Sequence, residues 1–152
     1  MTPLLYDVGP IYHYQWNIDC SVGLAAQNNL PCDVSYIQWY YTLAAVNVLT
    51  PQDRRAIYSK VAITGACSGR ADDPLVAAIT AHQTALKHST IDGKISVAKG
   101  TGKLGTDAYF VLRLGARLAD MFPQAWPRLD LIPHCPPSVA ETVLKCVPRI
   151  RK

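Results

Sequence analysis

The stretch DVSYIQWYYTLAA, Asp33–Ala45, decides the fold. Asp33 is a good helix cap behind Pro31 and Cys32, and the run continues to Val48. At about 100° per residue, Val34, Ile37, Tyr41, Ala44, Ala45 and Val48 share one face. Tyr36, Trp39 and Leu43 fall on the opposite side, so the helix is apolar on two faces. Such a helix is either central or docked against a partner. Tyr36, Trp39 and Leu43 are therefore the candidate contact residues, the alternative being that the N-terminal segment folds back over them through Tyr12, Tyr14 or Trp16.

Working outward, Thr50-Pro51-Gln52-Asp53 opens a second helix, with Thr50 as cap, ahead of the strand-like Val61–Thr64. Asp73-Pro74 opens a third, whose stripe is Leu75, Ala78, Ile79, His82 and Leu86. His82 thus points inward as a structural residue, one that phenylalanine should replace without loss. Thr90–Val97 alternates about Asp92-Gly93 and reads as a short hairpin or extended segment. Gly100, Gly102 and Gly105 form a surface loop that lacks the Gly-Lys-Ser/Thr ending of a phosphate cradle. Thr106 or Asp107 caps the strongest helix, with Ala108, Val111, Leu112, Gly115, Leu118, Ala119 and Phe122 on its apolar face and Pro123 at its end. Ser138–Glu141 has capping-box spacing and opens a last helix to about Cys146. No internal repeat is visible.

Val34, Ile37 and Gln38, then Ala78-Ile79 with His82-Gln83 behind a glycine-bearing turn, then Asp92-Gly93, together resemble the peptidoglycan-binding-domain-like family over roughly Ser21–Leu118. Val22-Gly23 and Asn28-Asn29 precede the first pattern as in variants of that family. Two departures stand out: His82 replaces the aromatic before the second glutamine, and the compact turn is stretched to Gly65–Gly69. The resemblance implies a helical fold and non-covalent recognition of cell-wall glycan or stem peptide. The second apolar face of the first helix separately makes Trp39 a contact residue, against a neighbouring subunit or stacked on a sugar ring.

The 152 residues suit one core and are too few for two comfortable domains. The net charge of +4 suits an acidic partner, but the basic residues cluster only at Arg149, Arg151 and Lys152, which argues against a nucleic-acid protein. Met1–Trp16 has neither the basic start nor the apolar run of a secretory signal, and no stretch reaches the roughly 18 apolar residues of a membrane span. Cys20, Cys32, Cys67, Cys135 and Cys146 lack a Cys-x-x-Cys and read as buried free thiols. His13, His82, His88 and His134 have no metal-ligand spacing, and Glu141 is the single glutamate. No enzyme, metal or cofactor is expected.

The expected fold is mainly α. Residues 1–20 form an extended N-terminal arm, 21–122 a three-helix peptidoglycan-binding-like domain with a small β hairpin, and 123–152 a proline-rich tail ending in a short helix. The expected function is a non-catalytic peptidoglycan-binding module, made in the cytoplasm without a signal peptide and carried to the envelope by a phage tail or contractile injection machine. The alternative is a structural virion or assembly protein that uses the fold for docking to neighbouring subunits.

Overall fold

The computed structural model describes residues 1–5, 14–26, 30–99 and 109–150. Among these, the chain forms five α-helices and two short antiparallel strand pairs. Helix α1, Pro31–Val46, is buried along nearly its whole length and lies at the centre. Helices α2, Gln52–Tyr58, and α5, Pro137–Ile150, pack against it, and α3, Pro74–Ala85, packs on α2. An all-round apolar helix has no solvent face to offer, so its neighbours must cover every side.

Helix α1 begins at Pro31, with Leu30 in the cap position, because proline fills the first turn without wasting an amide donor. Asp33 is therefore not the cap. Its buried carboxylate accepts the Asp19 and Cys20 backbone N–H groups at 2.9 and 3.0 Å, and the Met1 α-amino group lies 2.7 Å away. Val48, expected in the core, lies beyond the end of the helix and is exposed. Asp73 caps α3 as expected, accepting the Leu75 N–H at 2.9 Å. Leu86 leaves the expected stripe because the helix ends at Ala85.

The N-terminal segment is not a simple extended arm. Strand β1, Thr2–Leu5, pairs antiparallel with β2, Tyr14–Asn17. Strand β2 packs on α4, Phe110–Met121. Burial of Trp16 and Ile18 holds the segment down, and the Trp16 indole donates to the Pro127 carbonyl at 2.9 Å. The Asn17 amide acts as a strand partner to Ala98, accepting its N–H at 3.0 Å and donating to its carbonyl at 2.9 Å. Residues 90–97 form no hairpin of their own. Instead β4, Lys94–Ile95, pairs with the distant β3, Val22–Gly23. No strand forms over residues 61–64.

Thr106, Asp107, Ala108 and the glycines at 100, 102 and 105 lie outside the described residues; Tyr109 occupies the cap position of α4. The last helix is longer than expected and starts before Ser138. Pro137 opens it, and the Pro136 carbonyl accepts the Ala140 N–H at 2.9 Å. Glu141 turns to Lys145 one turn on, at 2.8 Å, rather than closing a capping box. Val139 and Val143 from α5, with Leu129 and Ile132 before it, join the same hydrophobic cluster as α1 and Trp16.

Candidate functional site

Tyr36, Trp39 and Leu43 are all buried within the chain, which corrects the expectation of an open contact face. The cover comes from the C-terminal segment. The Trp39 indole donates to the Pro133 carbonyl at 3.1 Å, and Cys32, two turns earlier on the same side of α1, lies 3.3 Å from Thr142 Oγ1 of α5. Proline-punctuated sequence gave no periodicity from which this docking could be read.

The two glutamines of the sequence pattern perform one task twice. Gln38 Oε1 accepts the N–H groups of Thr64 and Gly65, both at 2.9 Å, while Nε2 donates to Thr64 Oγ1 and the Ala66 carbonyl, both at 3.0 Å. Gln83 Oε1 accepts the N–H groups of Asp92 and Gly93 at 3.1 and 2.9 Å, while Nε2 donates to Asp92 Oδ1 and the Lys94 carbonyl at 3.2 and 3.0 Å. Gly65 and Gly93 sit at φ of 74° and 67°, and a Cβ on Gly93 would fall 2.8 Å from Thr80 Oγ1. The same clamp thus occurs twice. It escapes sequence inspection because Gln38 reaches 27 residues ahead to its glycine and Gln83 only 10.

The chemistry-bearing feature lies between α1, α2, α3 and α4: an open cleft of about 370 Å³. Its floor is an aromatic cluster. Tyr40 stacks on His82 with ring centroids 5.8 Å apart and planes 8° from parallel. Tyr58 meets His82 edge-on at 6.0 Å, and Phe110 does so at 4.9 Å. Its walls carry Arg54 from α2 and Arg113 and Arg117 from α4, all half-buried, with Asp120 one turn beyond Ala116. Leu49 and Leu86 form apolar lips. Arginines outnumber carboxylates among the residues that line the cleft, three to one.

His82 is neutral. Burial above all, then the positive charges of Arg54, Arg113 and Arg117, hold its imidazole down to about 3 from an ordinary 6.5. Its Nδ1 lies 3.2 Å from the Tyr41 hydroxyl. It is buried as expected, yet it also lines the cleft. Burial pushes the Tyr58 hydroxyl up, an effect that adjacent Arg54 partly offsets. Neutral phenols and a neutral imidazole beside fixed guanidinium charges are chemically suited to an oxyanion.

Cys20 is exposed, and Cys32, Cys67, Cys135 and Cys146 are half-buried rather than fully buried as expected. Burial pushes the thiols of Cys32, Cys67 and Cys135 up, the last to about 12, so they are not thiolates at neutral pH. Among the described residues, no group of three or more His, Cys, Asp or Glu side chains could hold a metal ion, and no helix is long and apolar enough to cross a membrane.

Sequence reasoning found His82 but not the arginines. The one available signal was Arg113 and Arg117 at helical i, i+4 spacing, which reads equally as a solvated face. Set against family models, curated proteins and solved structures, the chain matches none of them significantly.

Proposed function

We propose that this chain is a non-catalytic module that binds cell-wall peptidoglycan, working within a larger assembly such as a phage tail or contractile injection machine. The observation that carries the reading is the arginine-lined cleft above the neutral His82 floor. Peptidoglycan is an anionic polymer, and a fixed cluster of guanidiniums is suited to its carboxylates. The paired glutamine clamps add support, because they use the glutamines and the Asp-Gly turn on which the family resemblance rests.

Co-sedimentation with purified sacculi tests the reading. The protein should pellet with the wall in a salt-sensitive manner, and Arg117→Gln should reduce the bound fraction. A protein that stays in the supernatant at every concentration of sacculi contradicts it. A second reading, docking to a neighbouring subunit, is favoured by the turn after α1, where Val46, Val48 and Leu49 are exposed together.

A further inference from the structure

We propose that the cleft takes the carboxylate-bearing peptide stem of the wall rather than its sugar strand. This rests on the cell-wall reading above and narrows it to one ligand chemistry: a short acidic peptide with small apolar side chains.

The floor is the first argument. A pyranose ring is usually held flat against an exposed aromatic face, and this cleft offers none. Tyr40 and Tyr58 are 3% and 2% exposed. One face of Tyr40 is already stacked on His82, and the Tyr58 ring lies 4.9 Å from that of Tyr41.

The walls are the second argument. Arg54 of α2 and Arg117 of α4 line the cleft from separate helices, so a ligand oxyanion can be met from two directions. A planar guanidinium matches a carboxylate with two parallel hydrogen bonds. Sugar hydroxyls are neutral and gain much less from fixed positive charge.

The lips complete the match. Leu49 and Leu86 flank the charged walls, and Ala44 and Ala116 are small enough to leave room between them. Apolar patches of that size suit methyl side chains such as alanine's. A stem peptide alternates carboxylates with alanine methyls over a few residues, as a sugar strand does not.

Calorimetric titration of the full chain with two soluble probes tests the assignment. One probe is a disaccharide-peptide with free stem carboxylates; the other is a neutral N-acetylglucosamine oligosaccharide, which carries no lactyl carboxylate. The first should bind and the second should not, and methyl esterification of the stem should weaken binding at least tenfold. Arg54→Gln and Arg117→Gln, on different helices, should each weaken it roughly tenfold or more. Leu49→Asp, at a 73% exposed position, should do the same with an unchanged melting temperature. Equal binding of the neutral oligosaccharide would overturn the stem assignment and leave the cell-wall reading standing. Failure of both probes, together with no retention on whole sacculi, would remove both. An unrelated acidic peptide that binds as tightly as the stem would make the cleft a protein-docking site and overturn the assignment too.

Discussion

His82 shows how one side chain can be legible in part. Its place on the stripe with Leu75 and Ile79 marks it as buried, and it is. The stripe cannot reveal that Tyr41, on another helix, shares a hydrogen bond with it. That bond is a reason to expect that phenylalanine would not serve as well. His82→Phe should cost about 1–3 kcal/mol, because it strands a buried hydroxyl. Adding Tyr41→Phe should recover much of the loss, as chemical denaturation of the single and double mutants would show. A single mutant as stable as the parent would mean that the bond carries no weight. The same histidine makes stability depend on pH. Above its unfolded value of 6.5 both states are neutral, and there is no dependence from this group. As the pH falls toward 3 the unfolded imidazole takes a proton that the folded one refuses, and stability drops by up to about 4 kcal/mol. The loss between pH 7 and pH 4 should be smaller in His82→Gln, which does not titrate; identical acid profiles would count against the depressed imidazole.

At the level of elements, what was legible was local. The opening of α3 at Asp73-Pro74 depends on side chains within one turn, and so does the burial of the Leu75–Ile79 face. The two-faced α1 was also legible, but not which elements cover it, since the C-terminal segment returns from far along the chain, Pro133 coming 94 positions after Trp39. Trp39→Ala should accordingly behave as a core truncation, costing about 3–5 kcal/mol by thermal or chemical unfolding, with wall binding retained in the folded fraction. Loss of binding at full stability would restore Trp39 as a contact residue. The β3–β4 pair was illegible for a similar reason: two residues per strand leave no alternation to detect. The glutamine clamps lead to a further expectation. Gln38→Ala and Gln83→Ala each remove four hydrogen bonds from a glycine turn, so each should destabilise by about 2–4 kcal/mol. Markedly unequal losses would show that the two turns are not equivalent devices.

Across the whole molecule, the cleft belongs to no single segment. Arg54, His82, Arg113 and Arg117 come from three helices and meet only because α1 is wrapped on every side. Scattered arginines carry no signature until the fold gathers them, so the sequence yielded a helical architecture and a family resemblance but placed the candidate contact on a face of α1 that the chain itself buries. The exposed turn Val46–Leu49 borders the same cleft, which sets the docking and wall-binding readings at one location. The most direct measurement is therefore positional. Backbone amide shifts should be followed by NMR as soluble disaccharide-peptide is titrated into the full chain. Binding at the cleft predicts saturable changes at Leu49, Arg54, Arg113 and Arg117, with the turns held by Gln38 and Gln83 undisturbed. Saturable changes confined to those turns, or no changes at millimolar ligand, would contradict it.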